Sequence, residues 1–282
     1  MRLGAGLPTA LGQRDGRAVA GWARAAEQHG FASVAVVDRL VAPTYDPLTA
    51  LAGAAAVTES VDLYTSVLLA PLRPAAVLAA QAATVDRMSG GRLRLGVAVG
   101  SRRPDYEAAG VAFTRRGAIL DEQLAALKAT WADGADFVSP GPAPCRAGGP
   151  PVLIGGASRA AARRVAALGD GWICGLGGAE GFASGAATVL AEWRRARRDG
   201  RPHLLSVVHY ALGRDAVAHR EAFLRRYYGA APFVERMIAD TPVSEADLAE
   251  VLAAHREAGC DEVLLFPCSA EPGPLDALAR LL

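Results

Sequence analysis

Lysine is almost missing from this sequence: Lys128 stands alone among 30 basic residues, and the rest are arginine. Schiff-base chemistry needs an amine beside a reacting carbonyl, and no lysine falls where a strand would end, so that class drops out. Cysteine is scarce too. Cys145, Cys174, Cys260 and Cys268 show neither a CxxC pair nor zinc-ligand spacing, which argues for reduced thiols rather than a disulfide framework or metal site. An excess of one charge is also lacking, because 30 basic against 29 acidic residues leave a net charge of +1. No whole-molecule field draws such a chain to nucleic acid or to an anionic membrane. No apolar run reaches the roughly 20 residues a membrane helix needs, and the start lacks the charged and apolar regions of a signal peptide. A cytoplasmic protein is the expectation. HExxH, nucleophile-elbow and Walker motifs are absent, and no carboxylate cluster has metal spacing, so a hydrolase or a metalloenzyme has no residues to carry it.

What the sequence has instead is alternation. Its 282 residues are 51% hydrophobic and 21% charged, enough for a large core in a single domain spanning residues 1–282. Apolar strand-like segments at 2–7, 33–38, 63–69, 93–100, 152–154, 171–174, 204–212 and 262–266 are separated by segments with helical spacing. The helical segments run 17–29, 47–57, 74–88, 116–131, 158–168, 182–198, 216–228 and 245–258, with a last one from Leu275. Eight strands alternating with helices predict an α/β fold, a (β/α)8 TIM barrel, with an open doubly wound sheet as the lesser option. The Gly- and Pro-rich residues 133–151 hold no periodicity and read as an excursion at the strand-end face or a short hairpin.

The stretch Asp86–Gly110 organises this pattern. Gly90 and Gly91 end a helix, then Leu93, Leu95, Val97 and Val99 share one parity while Arg94, Gly96, Ala98 and Gly100 share the other. Large residues on the first parity face a helix layer, and small ones on the second leave room for a ligand at the C-terminal mouth.

Three stretches carry a resemblance: TSVLLAPLRPAAVLAAQAATVDRMSGGRLRLGVAVG (65–100), AGVAFTRRGAILDEQLAALKATW (109–131) and PVLIGGASRAAARRVAALGDGWI (151–173). They resemble the bacterial luciferase-like superfamily of oxidoreductases, in matching order over nearly the whole chain. The resemblance implies a TIM barrel that binds FMN, or the deazaflavin coenzyme F420, at its C-terminal mouth. At the place of Ser66 and Val67, in the TSV of the third strand, several deazaflavin members of that superfamily carry a non-prolyl cis peptide behind the ring, and an ordinary trans strand is the alternative here. The resemblance also implies that Gly155, Gly156, Ala157 and Ser158 contact the cofactor's phosphate-bearing chain. Successive backbone N–H groups and a hydroxyl at a helix start suit an anion, although capping by Ser158 alone explains the same residues. The glycines 175, 177, 178 and 181 match a dinucleotide fingerprint only loosely and read as a mouth loop.

Some members of that superfamily, sugar-phosphate and alcohol dehydrogenases, carry Asp-His where this chain has Asp38 and Arg39. An arginine is no base near neutral pH, so the usual acceptor of a hydroxyl proton is lost. The acidic residue after the fourth strand is replaced by Ser101 and Arg102, and the basic residue of the sixth-strand loop by Gly178. These departures argue against a sugar phosphate. Arg39, Arg102 and Arg103 then stand as cationic forks for an acidic substrate or the cofactor's phosphates, with a solvated loop as the plainer reading of the last two. His209 and Tyr210 are the imidazole and phenol placed to act at the mouth, against the commoner fate of a core histidine bonded to backbone. The other histidines, at 29, 203, 219 and 255, fall on helix ends or polar faces.

The candidates are therefore Arg39 and His209 for catalysis, with Asp38, Ser66, Val67, Gly100, Gly155, Gly156, Ala157 and Ser158 for the cofactor. F420-dependent hydride transfer to or from a small organic substrate is the first reading. An FMN monooxygenase fed by a reductase is the alternative, and a non-catalytic flavin-binding barrel is the third. Leu69, Leu72, Tyr64 and Phe266 near the mouth suit an apolar substrate body, and a homodimer is expected by resemblance.

Overall fold

The computed structural model describes residues 1–12, 15–132, 139–175, 177–269 and 273–281. Strand β1 (Arg2–Gly6) leads to α1 (Gly16–Gln28), and β2 (Ser33–Val36) to α2 (Pro47–Ala55). Strand β3 (Asp62–Leu69) passes through a 3-10 turn into α3 (Ala75–Met88). Strand β4 (Leu93–Ala98) is followed by α4 (Arg103–Ala108) and α5 (Arg116–Ala132), β5 (Val152–Gly155) by α6 (Arg159–Leu168), and β6 (Gly171–Cys174) by α7 (Gly178–Arg195). After β7 (His203–Tyr210) come α8 (Ala216–Tyr228), α9 (Val234–Asp240) and α10 (Glu245–Glu257), then β8 (Glu262–Pro267) and α11 (Gly273–Ala279). All eight strands are parallel and close in chain order, with β8 on β1, which makes the predicted (β/α)8 barrel. None of the helices among the described residues is long and apolar enough to cross a membrane.

The parity read from β4 holds. Leu93, Leu95 and Val97 join the outer core with Leu78 and Ala82 of α3 and Leu124 of α5. The opposite parity faces the axis, where Arg94 pairs with Asp62 at 2.8 Å. Gly96 admits no side chain there: a Cβ would stand 2.1 Å from the Thr65 carbonyl oxygen and 2.6 Å from Ile173.

Polar groups plug the other end of the axis. Glu262, fully buried, accepts hydrogen bonds from Ser33 and from the Tyr64 hydroxyl at 3.2 Å, and its oxygens lie 3.4 Å from His203 and 3.8 Å from Arg2. Burial opposes its charge, but the hydrogen bonds from His203 and Ser33 and the Arg2 charge prevail and hold this carboxyl below its ordinary range. Tyr64 therefore lies at the barrel bottom, not at the mouth as expected. Its register with Ala35 and Arg94 places it in the early half of β3, on the inward face.

Other expectations need correction as well. Residues 139–151 form no strand, and they lead from the helix layer into the start of β5, so they lie opposite the mouth. There the Cys145 amide donates to Asp86 near the end of α3 at 2.7 Å. The remaining positions of that segment, 133–138, are outside the described residues. Helix α7 starts at Gly178, earlier than the spacing suggested, and α4 and α9 were not foreseen. His255 is buried with Leu248 and Leu252 on the inner face of α10, and donates from Nδ1 to the Val251 carbonyl at 2.7 Å.

Glycine at 96 should be indispensable for stability and glycine at 53 should not. Because the Thr65 backbone must move, Gly96→Ala is expected to destabilise by about 1–3 kcal/mol. Gly53 is exposed in α2 with nothing within 4 Å of a Cβ, so Gly53→Ala should stabilise by about 0.5–1 kcal/mol. Urea unfolding of the two variants tests this, and equal midpoints would refute it.

Candidate active site

A cavity of about 320 Å³ opens at the C-terminal ends of the strands. The Ser66–Val67 peptide bond is cis, not the ordinary trans alternative, and the pairing of β3 with β4 slips between Thr65 and Leu68. Ser66 and Val67 both line the cavity at this slip. The Ser66 hydroxyl is buried and has no hydrogen-bond partner among the described residues. A buried hydroxyl in that condition is costly unless a ligand answers it.

Across the cavity the wall carries almost no side chain. A Cβ on Gly155 would come within 2.8 Å of Val67 and 3.3 Å of Ala98, and one on Gly100, at φ +65°, within 2.7 Å of Leu69. Gly175 also lines the space, and nothing lies within 4 Å of where its Cβ would be. Gly155 and Gly100 are thus packed directly against Val67 and Leu69, and the wall they form is flat, with no large side chain standing into the cavity.

Gly155, Gly156, Ala157 and Ser158 make the turn from β5 into α6. Gly156 takes φ +122°, a conformation side chains disfavour, and Ser158 caps the helix by accepting from the Ala161 amide at 3.2 Å. The amides of that first turn have no partners within the helix, and the helix dipole adds positive character there. Trp172 props the turn from below, its Nε1 donating to the Gly156 carbonyl at 2.8 Å. Room for that indole comes from Gly185 of α7, where a Cβ would meet it at 2.3 Å.

Asp38, two residues past β2, stands on the cavity wall, but it is already engaged. Its Oδ2 accepts from the Leu69 amide at 2.9 Å and from Arg73 at 2.7 Å, and Arg73 also reaches Asp46, the N-cap of α2, at 2.9 Å. Arg39 is engaged too. Its guanidinium lies 4.8 Å from the Tyr227 ring centre and 3.6 Å from Asp105, a buried carboxylate whose other oxygen accepts from the Leu40 and Val41 amides. Arg102 and Arg103 do not join it: Arg102 reaches the Tyr227 carbonyl at 3.4 Å, and Arg103 opens α4 with its guanidinium over Phe113.

His209 faces the cavity from β7 within a cluster of rings, Phe223 at 5.5 Å and Phe266 at 6.0 Å. Its Nε2 lies 3.0 Å from the Tyr228 hydroxyl, a side chain rather than the backbone partner expected of a core histidine. Nδ1 has no hydrogen bond of good geometry. Burial, only partly offset by the Phe266 backbone, pushes this imidazole down to about 4. It is neutral near pH 7, and in the tautomer with its proton on Nδ1, toward the Phe266 backbone, Tyr228 donates and Nε2 accepts. Burial likewise pushes the Tyr228 phenol up, which keeps its proton in place. Tyr210 points away, into the outer core.

Sequence reasoning missed Asp105, Tyr227, Tyr228 and Phe233, all of which sit on or behind the substrate side. The consecutive tyrosines at the end of α8 were the available signal, but helical spacing does not say that this end bends over the barrel mouth.

Fold and site together define a TIM barrel with a cavity and a glycine-containing strand-to-helix turn at its C-terminal face. The chain belongs to the luciferase-like monooxygenase family, whose model matches residues 1–264. An uncharacterized protein of Mycobacterium tuberculosis is 33% identical over 189 residues, 55% of this chain and 64% of the mycobacterial one. The chain thus spans less than two thirds of that relative's length. An F420-dependent secondary alcohol dehydrogenase in complex with an F420-acetone adduct has the same fold, with a TM-score of 0.81, 17% identity, and coverage of 100% of this chain and 98% of the other. So does the oxygenating constituent of 3,6-diketocamphane monooxygenase from Pseudomonas putida in complex with FMN, with a TM-score of 0.78, 14% identity, and coverage of 99% and 97%.

The state of His209 gives a pH test. A histidine whose folded pKa is depressed makes folding cost a proton once the pH is below its unfolded value. Stability is therefore fully present above about 6.5 and falls as the pH drops toward 4, by at most about 3 kcal/mol for this group. His255, also pushed down by burial, adds to the loss in the same direction. Urea unfolding between these pH values should show wild type losing more stability than His209→Asn, and parallel curves would refute the assignment.

Proposed function

We propose that this chain is an oxidoreductase that seats coenzyme F420 in the mouth cavity and serves hydride transfer between it and a small organic molecule. The observation that carries this reading is the cavity wall: glycine and alanine packed flat beside Val67, with the unpartnered Ser66 hydroxyl among them. When bound, the deazaflavin supplies the two-electron chemistry. The chain's own residues supply position. Val67, Ala98 and the glycines at 100, 155 and 175 would give the ring a wall to lie against, and the Ser66 hydroxyl would be available to a polar atom of it. The turn from Gly155 to Ser158, braced by Trp172, holds the phosphate-bearing chain by backbone amides. A further chamber of about 410 Å³ adjoins through Gly175, Val207 and His209, so a long cofactor tail has space beyond the turn.

On the substrate side, Tyr228 donates its proton to His209 and leaves its oxygen able to accept from a substrate hydroxyl. Arg39 lies along the same wall as a fixed positive edge. Neither His209 nor Arg39 is a ready base at neutral pH, so both act by positioning rather than by taking the proton outright.

FMN with O₂ is the second reading, favoured by the description of the family and by the FMN-bound monooxygenase of like fold. In that case a partner reductase must supply reduced FMN.

Parallel titration of the protein with F420 and FMN, followed by ring fluorescence, decides between them. Saturation by F420 at micromolar concentration is expected; preference for FMN would transfer the chain to the second reading, and binding of neither would refute both. Gly175→Val provides the site control. Its side chain enters open space, so melting should be unchanged while cofactor affinity falls by about tenfold or more, a loss of about 1.4 kcal/mol.

A further inference from the structure

We infer that the substrate side of the cavity is set for an uncharged aromatic molecule, and that Asp105 is the residue that sets it. The inference rests on reading this cavity as the redox site, and it names the substrate class that reading leaves open. Among the described residues that line the cavity, Asp38 and Arg39 are the ionised side chains. Each is balanced from behind: Asp38 by Arg73 at 2.7 Å, and Arg39 by Asp105 at 3.6 Å. These pairs are nearly closed to water, with side-chain exposures of 3% for Asp38, 16% for Arg73, 10% for Arg39 and 1% for Asp105.

An arginine that grips a carboxylate or phosphate must present its fork. Here one Nη lies 3.6 Å from Asp105, and the guanidinium carbon lies over the Tyr227 ring, 4.8 Å from its centre, and 5.9 Å from the centre of the Tyr228 ring. An anionic substrate at Arg39 would bring a second negative charge beside a buried carboxylate that two backbone amides hold in place. That repulsion, in a poorly solvated site, is how a pocket rejects an ion rather than merely failing to attract it.

Beyond these pairs the lining is uncharged, aliphatic toward the strands and aromatic at Tyr227, Tyr228 and Phe233. Tyr227 and Tyr228 meet edge to face at 4.9 Å and 79°, and Tyr228 meets Phe233 at 5.6 Å and 75°. Tyr227 is taken up by Arg39 and by Phe223 stacked at 5.5 Å, so the half-buried Tyr228 and Phe233 are the rings that can meet one more planar ring. The sequence-based expectation that Arg39 would suit an acidic substrate is thereby reversed, because the sequence could not show Asp105 standing behind it.

The test measures binding of 2-naphthol and 2-naphthoate by calorimetry near neutral pH, where the second is ionised and the first is not. It is run in parallel on the protein alone and on the protein saturated with F420 or FMN, so failure to take a cofactor is seen separately from failure of the preference. Wild type is expected to bind the naphthol about tenfold or more tightly. Asp105→Asn keeps a carbonyl oxygen for the Leu40 and Val41 amides and removes only the charge; it should narrow the preference by about tenfold, and adding Arg39→Met should restore it. Equal binding of the two probes by wild type, binding of neither, or an unchanged preference in an Asp105→Asn protein that melts normally would each overturn the inference. The wild-type comparison stands without the variants, so a variant that does not fold leaves the inference exposed to refutation.

Discussion

The site depends on one carboxylate. Strand β3 slips in its pairing with β4 between Thr65 and Leu68, so the ladder that would otherwise fix its end is interrupted where the cavity needs Ser66 and Val67. Asp38 takes over there. It accepts the Leu69 amide just past the slip, and Arg73 ties it to Asp46 at the start of α2. Gln123 of α5 then donates to the Ala70 and Arg73 carbonyls, which fastens the following turn to the helix layer. The end of one strand is thus fixed by three elements, and Asp38 is a positioning residue before it is anything toward a cofactor.

The two ends of the barrel use charge in opposite ways. At the bottom, Arg2, Arg94, Asp62, His203 and Glu262 form a connected network in the axis, and no space is left for a ligand. At the top the ionised groups stand at the walls in separate pairs, and the middle is left to small residues and rings. Buried ion pairs contribute little net stability compared with apolar packing, but breaking one leaves an uncompensated charge. The mouth pairs therefore make the wall rigid and nearly neutral, which is a constraint on what it can admit.

Much of the architecture was legible in the sequence because it is written in local patterns. The apolar alternation gave eight strands, and the shrinking series Arg94, Gly96, Ala98, Gly100 pointed to the mouth before any coordinates. The turn Gly155–Ser158 was visible for the same reason, since a strand, glycines and a capping serine are adjacent in the chain. Legibility stopped at partners distant in sequence. Arg39 read as a free cation because nothing near it announces Asp105, and His209 read as a catalytic candidate, weighed against a core histidine, without its partner Tyr228, which belongs to another element. Tyr64 was assigned to the wrong end of the barrel, since an inward position tells which face a residue takes but not how deep it lies. His255 was the avoidable miss: Leu248, Leu252 and His255 follow helical spacing on one buried face.

The protonation state of His209 limits the mechanism more than its location does. An imidazole at about 4 is neutral at working pH and a feeble base, so a substrate proton cannot simply be lodged on it. What the Tyr228–His209 pair offers is direction: the phenol proton points at Nε2, which turns the phenol oxygen into an acceptor toward the cavity. A substrate hydroxyl bonded to that oxygen has its remaining groups aligned without being ionised in the ground state. In the proposed hydride loss, positive charge would develop on the carbinol group and be met by the Tyr228 oxygen, while Arg39 stays balanced by Asp105. That arrangement favours stabilisation in the transition state over binding in the ground state, which is how a site with no strong acid or base can still be catalytic.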